Sequence, residues 1–264
     1  MAEELTYGDA AAAGYDRTFA HVSARFVPAL LRAARLAPGM RVLDIATGTG
    51  LVAETALAAV GPTGHVTAAD ISPAMAERAR ARLGDAPNVT IAVEDGRSMS
   101  FPDESFDAVV CGLGLMFFPA PTRGLAEIRR VLRSGGRAAV SVPTTATRTY
   151  DGPVFLALAR HAPPLAEAAT RMFSLGDAAR LRTLLNDAGY RDVEVTTEVQ
   201  RFEKPSFSAY FEPYERGWGT AGQAYVALPE EARRAMREEV RRALGDAGGP
   251  IGVEMEVRIA SGRR

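Results

Sequence analysis

Lysine is almost missing from this chain: Lys204 is the single one among 31 basic residues, so nearly every positive charge is an arginine. Mechanisms that need a lysine amine therefore have one candidate at most. Cys111 is the only cysteine, which excludes an intrachain disulfide and a thiolate metal cluster. The three histidines, His21, His65 and His161, are too scattered for a metal motif. A charge excess is lacking too. With 31 basic and 32 acidic residues the formal net charge is -1, which gives no global attraction to nucleic acid or anionic lipid. The longest apolar stretch, residues 108–118 counting glycines, is about half of what a membrane-spanning helix needs. Residues 1–7 have neither a basic cluster nor an apolar run, so no secretory leader is expected, and the expected setting is the cytoplasm.

What is present is the composition of a globular chain, 47% hydrophobic and 24% charged over 264 residues, enough for one α/β domain with insertions. Up to Pro38 the pattern is helical, with Phe26, Leu30, Leu31 and Ala34 spaced by three and four. Pro38-Gly39 breaks it, and strands at 41–45, 65–69, 89–93, 106–110 and 136–142 then alternate with helices at about 50–60, 73–83 and 121–133. Ser72 with Pro73 is the cap of the second of these helices, and Gly135-Gly136 is the expected end of the third. A helix at 177–188 and strands at 192–201 and 252–260 complete the pattern. The expectation is a doubly wound, mostly parallel seven-stranded sheet in a single domain spanning 1–264. Three segments do not belong to the alternation: an N-terminal helical lid (1–37) and insertions at 143–176 and 202–250. The second insertion holds Phe207, Tyr210, Phe211, Tyr214, Trp218 and Tyr225 and ends in a charged helix at 229–244. The expectation is that all three cap the carboxyl edge of the sheet. The aromatic cluster fits the wall of an apolar pocket and the core of the cap equally well.

The chemistry concentrates at the ends of the first three strands. Residues 42–50 form a strand running into Gly48-Thr49-Gly50 and then a helix, where glycine lets a ligand approach the backbone and the helix start offers free N–H groups. Alone, this turn also satisfies a dinucleotide fingerprint. Asp44 separates the readings, because a carboxylate beside the turn suits an ammonium and opposes a pyrophosphate. Asp70, at the end of the next strand, can accept hydrogen bonds from two ribose hydroxyls. Glu94-Asp95-Gly96, after the third strand, offers an acidic side chain and a backbone N–H to an adenine. Ligands of open α/β sheets bind at this edge.

Asp44 to Gly50, residues 70–73, Asp95-Gly96, Phe106-Asp107 and residues 127–136 together resemble the successive motifs of class I S-adenosylmethionine-dependent methyltransferases. The resemblance is to the ubiquinone/menaquinone-biosynthesis and related small-molecule branch. It is strong over roughly residues 39–142, weaker for the later strands and absent for the insertions. It implies a Rossmann-like methyltransferase fold with S-adenosylmethionine as cofactor. Asp44 would lie near the methionine ammonium, and Ala46, Gly48 and Gly50 along the amino-acid portion. Asp70 would bind the ribose, Ile71 and Met75 would sandwich the adenine, and Asp95 and Gly96 would read its edge. Residues from Cys111 to Leu113 would line the methionine side, and Tyr15 would act as a lid over the cofactor. Phe117 and Phe118 stand where many relatives have histidine.

A sulfonium methyl is already activated, so transfer needs mainly an aimed lone pair, and a dedicated base is optional. His21, in the segment that relatives fold over the cofactor, is the candidate base, with His161 behind it. The expected acceptor is a small molecule, natural-product or quinone-like, with no nucleic acid or membrane partner. Two alternatives stay open: a non-methylating reaction such as cyclisation on the same fold, and a nicotinamide-dependent dehydrogenase. Against the dehydrogenase stand Asp44, Asp95-Gly96 and the lack of a tyrosine–lysine pair.

Overall fold

The computed structural model describes Asp16 and residues 19–162 and 171–264. Tyr15 with the rest of residues 1–15, residues 17 and 18 of the expected N-terminal lid, and Pro163-Pro164 lie outside the described residues. A short helix α1 (Ala20–Ser23) passes through a 3-10 turn into α2 (Val27–Ala33). The parallel strands follow as β1 (Arg41–Ile45), β2 (His65–Asp70), β3 (Val89–Val93), β4 (Phe106–Gly112) and β5 (Leu132–Pro143). Between them run α3 (Leu51–Val60), α4 (Pro73–Leu83) and α5 (Pro121–Val131). β1 and β4 are buried along almost their whole length, as continuous apolar strands of a doubly covered sheet must be. Alternation assigns their faces. Val42, Ala108 and Val110 meet α2 and α3, whereas Leu43, Ile45, Val109 and Cys111 meet α5 and the segment after β4.

After α6 (Gly152–His161) and α7 (Ala178–Asp187), β6 (Arg191–Lys204) and β7 (Ile251–Arg263) complete the sheet. Its order is β3-β2-β1-β4-β5-β7-β6, with β7 antiparallel to both neighbours. The order reverses at β1: successive strands first go outward through β2 and β3, then resume on the other side with β4. That reversal opens a crevice above the carboxyl ends of β1 and β4.

The expected helices and strands appear within a few residues of their sequence limits, with one instructive difference. Helix α5 ends at Val131, not at Gly135-Gly136, and the chain is already extended at Leu132. The glycine pair instead sits inside β5, where the pairing with β4 jumps from Phe106↔Leu132 to Ala108↔Arg137. A Cβ on Gly136 would come within 2.9 Å of two carbonyl oxygens, of Arg133 and Asp107. The glycine signal was real, and what it marked was a bulge.

The last two strands carry the cap. Pairing of β5 with β7 stops at Pro143↔Val257, but β6 and β7 stay paired from Val199↔Glu256 to Lys204↔Ile251. This two-stranded overhang projects past the carboxyl edge. Helices α6, α8 (Phe207–Glu215), α9 (Gly219–Val226) and α10 (Glu230–Ala243) pack there. Ser206 caps α8 by accepting the Ala209 N–H at 3.2 Å. α10 buries only Met236 and Val240 and turns its charged residues outward.

Phe207, Tyr210, Phe211, Tyr214 and Tyr225 are all buried in the cap. Phe207 stacks on Phe211 at 5.3 Å and Tyr225 meets Phe211 edge-on at 5.2 Å. Their polar tips are satisfied inside: the Tyr210 hydroxyl donates to the Tyr150 carbonyl at 2.9 Å, and the Tyr214 hydroxyl donates to the Asp151 carboxylate. Burial pushes the Asp151 carboxyl up to about 6, with the Tyr214 hydrogen bond opposing the shift. Above that pH the ionised carboxylate depends on its donor. Tyr214→Phe is expected to lose about 1.5–3 kcal/mol at pH 8, as for a hydrogen bond to a charged group. That is a fall in Tm of about 3–12 °C for a chain of this size. The loss should shrink at pH 5, where Asp151 is neutral and binds its proton more readily in the variant. Melting curves at the two pH values check this.

Candidate active site

Four loops converge on the crevice. After β1 come Ala46, Thr47, Gly48 and Thr49; after β2, Ile71 and Ser72; after β3, Glu94 to Arg97; after β4, Gly112 to Gly114. Met75 from α4 and Ser141 from β5 join them. The remaining wall comes from Ser23, Phe26, Val27 and Leu30 on one side and from Phe117, Phe118 and Pro119 on another.

Two non-glycine residues beside the reversal point have left-handed backbones, Ala46 (φ 56°) after β1 and Leu113 (φ 52°) after β4. Such conformations cost energy and persist where surrounding structure enforces them. The two turns approach each other closely here: a Cβ on Gly114 would lie 2.6 Å from the Ala46 Cβ. Gly48 (φ 57°) is different, for a Cβ there would meet nothing within 4 Å. The turn is therefore open on its cleft side at that residue.

Below the turn lie two buried carboxylates. Asp44 is fully buried and accepts the Thr47 hydroxyl at 2.5 Å, while its Oδ1 accepts no hydrogen bond among the described residues. Burial pushes its carboxyl up to about 7, opposed by the Thr47 hydroxyl and the backbone N–H of Ala53 and reinforced by the nearby charge of Asp70. Asp70 accepts the Gly48 N–H and the Ser72 N–H, both at 2.9 Å. Its carboxyl is raised by burial, and those two amides hold the rise in check. Asp95 is tied instead to Arg97, whose Nε and Nη2 reach its two oxygens at 2.9 and 2.8 Å. That guanidinium holds the Asp95 carboxyl below the usual range.

The structure brings Ala46, Gly48, Asp70, Ile71, Met75, Asp95 and Gly96 onto the cleft. Ile71 is 49% exposed, an uncommon state for isoleucine, and its exposed surface is cleft surface. Gly96 faces Phe118, whose ring would sit 2.5 Å from an added Cβ.

Other expected site residues do not line the cleft. Gly50 starts α3 and packs on α4, where a Cβ would meet the Ala79 Cα at 3.1 Å, so its glycine serves helix packing. Cys111 points to the opposite face of the sheet from Asp44, and only Gly112 and Leu113 of that segment reach the cleft. Burial pushes its thiol up to about 12, which makes it an inert core residue.

His21 is not on the cleft. It is two residues from Ser23, about 200° around a helix, so it faces the other way. At the surface it packs edge-on to Tyr150 and Phe202, with Lys204 Nζ 3.3 Å from its Nε2. His161 is satisfied by Glu239 at 3.2 Å. The aromatic cluster of the second insertion is cap core, and Trp218, half-buried under the Arg216 guanidinium, does not line the cleft either. The wall that sequence reasoning missed is Ser23, Phe26, Val27 and Leu30. Their spacing announced a helix, but an apolar stripe does not say whether it faces core or ligand.

Residues 43–140 match a family model described as a methyltransferase domain. A ubiquinone/menaquinone biosynthesis C-methyltransferase of Bordetella avium is 43% identical over 108 residues, 40% of this chain and 42% of that protein. A demethylmenaquinone methyltransferase of Clavibacter sepedonicus is 40% identical over 136 residues, 50% of this chain and 54% of the relative. The chain thus spans about half the length of the curated relatives it matches. Phosphoethanolamine N-methyltransferase 2 of Haemonchus contortus, solved with phosphomonomethylethanolamine and S-adenosylhomocysteine, shares the fold. Its TM-score is 0.64 at 19% identity, over 98% of this chain and 58% of that one. The fold and cleft define a Rossmann-like methyltransferase architecture. Residues 43–140 form a methyltransferase domain that is similar in sequence to the ubiquinone/menaquinone-biosynthesis methyltransferases.

The buried Asp44 has a consequence for stability. Its folded-state carboxyl is raised above the unfolded value, so ionising it penalises the folded state fully above about pH 7 and not at all near pH 4. Asp44→Asn is therefore expected to raise the Tm of the free protein by several degrees at pH 8. The gain should shrink as the pH falls through 7 and vanish near 4. A variant less stable at pH 8 would contradict this reading.

Proposed function

We propose that the protein transfers the methyl group of S-adenosylmethionine to a small, largely apolar, quinone-like acceptor, in the cytoplasm. The observation that carries this reading is the pair of buried carboxylates under an open glycine turn, inside a domain of that class. The residues present fit the cofactor. An orphaned, buried Oδ1 on Asp44 suits a nearby cation, and the free space at Gly48 suits a backbone-to-ligand contact. Asp70 keeps lone pairs for ribose hydroxyls beyond the two amides it accepts, and Ile71 and Met75 offer apolar surface to an adenine. Asp95 and Gly96 line the same cleft after β3, which supports their assignment to the adenine edge.

When bound, S-adenosylmethionine supplies an activated methyl group. What the chain supplies is position and dryness. Phe26, Val27, Leu30, Leu113, Phe117 and Phe118 make the rest of the cleft apolar, with the Ser23 and Ser141 hydroxyls among them. Among the described residues this part of the cleft holds no carboxylate, histidine or lysine. An acceptor that brings its own electron-rich nucleophile, such as an aromatic carbon beside an ionised hydroxyl, suits that lining. Holding it in line with the methyl is worth roughly 7–11 kcal/mol.

Calorimetry with S-adenosylhomocysteine should show micromolar binding, and labelled S-adenosylmethionine should transfer its label to a reduced quinone. Binding of a nicotinamide cofactor in preference would overturn the assignment. Affinity should also depend on pH. Below about 7 the Asp44 carboxyl must lose a proton to pair with the ammonium, so binding should weaken toward tenfold per pH unit there and level off above. Asp44→Asn should flatten the profile. Trp218→Ala, remote from the cleft, should change neither affinity nor turnover per folded molecule. Loss of turnover in that variant at unchanged stability would bring the second insertion back into the acceptor site.

A further inference from the structure

Thr49 lies between two glycines with left-handed backbones, Gly48 (φ 57°) and Gly50 (φ 85°), in the turn below which the buried carboxylates sit. Peptides flanked by such glycines have little intrinsic reason to keep one orientation. Yet Thr49 is 1% exposed, and both of its outward polar groups are taken by residues from outside the turn. Its hydroxyl donates to Asp16 Oδ1 at 2.7 Å, and its carbonyl accepts from Arg82 Nε at 2.8 Å. Arg82 Nη2 donates to the same Asp16 oxygen at 2.8 Å, which closes a ring of three residues, and Arg82 Nη1 reaches Glu54 at 3.3 Å. All three guanidinium nitrogens are thus engaged. The Gly50 N–H, on the other side of the same peptide, donates to the Thr47 carbonyl at 3.0 Å.

We propose that Asp16 and Arg82 are positioning residues for the cofactor: a latch that fixes the Thr49–Gly50 peptide and ties the turn to the segment leading into the pocket wall. This rests on the methyltransferase reading for the identity of the ligand, but its geometry does not. Asp16 precedes the short helix bearing Ser23 by a few residues, and Ser23, Phe26, Val27 and Leu30 form one wall of the cleft. Undocking Asp16 leaves a buried hydroxyl without its acceptor and removes one of the two carboxylates facing Arg82. An ordered turn therefore favours a docked N-terminal wall, and a docked wall favours an ordered turn. A ligand that binds the ordered turn draws on both, because such coupling is reciprocal. The pair is partly exposed, at 25% for Arg82 and 37% for Asp16, so salt should weaken the latch without abolishing it.

The test uses the full chain with Asp16→Ala, Arg82→Ala and the double variant, with Thr49→Val as a fourth protein that keeps the buried volume. Each single change should weaken S-adenosylhomocysteine about tenfold by calorimetry. The double variant should be little worse than either single one, since members of one network do not add. Saturating S-adenosylhomocysteine should slow trypsin cleavage within the first 25 residues of the wild type, and should fail to do so in Asp16→Ala. Without ligand, the amides of residues 46–50 should exchange hydrogen faster in Asp16→Ala, at a Tm close to that of the wild type. Wild-type affinity, wild-type trypsin protection and unchanged exchange in Asp16→Ala would overturn the latch, as would fully additive losses in the double variant. A wild type that ignores S-adenosylhomocysteine, but whose turn still loosens when Asp16 is removed, would overturn the function reading and leave the latch standing.

Discussion

The carboxylate of Asp70 stitches the crevice together. It closes β2, accepts the Gly48 N–H of the β1 turn at 2.9 Å, and accepts the Ser72 N–H that begins the α4 cap. Ser72 in turn accepts the Met75 N–H at 3.4 Å, so one chain of hydrogen bonds runs from the glycine turn to the first turn of α4. The order reversal of a doubly wound sheet opens a crevice in any case. What shape the crevice takes depends on how the loops above it are joined. Here the joints are Asp70 between the first two loops, the Gly114–Ala46 contact between the first and fourth, and Arg97 on Asp95 at the third.

Such a design sacrifices stability. Two carboxyls pushed upward by burial stand beside each other under a turn that satisfies only some of their oxygens. Neutral side chains of similar shape would fold more comfortably at pH 8. Keeping the acids makes sense where positive charge and hydroxyl donors arrive with a ligand, since a site built for its ligand is commonly not the most stable arrangement of its own residues.

The sheet was legible because its signals are local and repeated. Apolar runs of five or six residues, caps such as Ser72-Pro73 and breaks such as Pro38-Gly39 each act within a few residues, and together they mark the alternation of strands with helices. The acidic and glycine residues of the cleft were placeable for the same reason: Asp44, Gly48, Asp70 and Gly96 lie at or just after strand ends, and their positions follow once the strands are known. Gly135-Gly136 was misread because a glycine pair marks a bulge as readily as a helix end. The packing of Gly50 against Ala79, the reason that position needs a glycine, has no trace in the local sequence.

The apolar end of the cleft was illegible for a different reason. Its walls come from residues 23–30, 113–119 and 141, segments distant in sequence that meet only when the sheet has formed. Aromatic richness pointed to the second insertion, but aromatic side chains with satisfied hydroxyls are what a small cap needs for a core of its own. Tyr210 and Tyr214 end on Tyr150 and Asp151, which ties the second insertion to the first and not to a ligand. The cap thus acts on the cleft indirectly. It braces the β6–β7 overhang, and Phe202 on β6 packs with His21 and Tyr150 at the base of the N-terminal wall. A side chain's contribution to a site of this kind is set by which neighbour completes its hydrogen bonds. Composition alone does not carry that information.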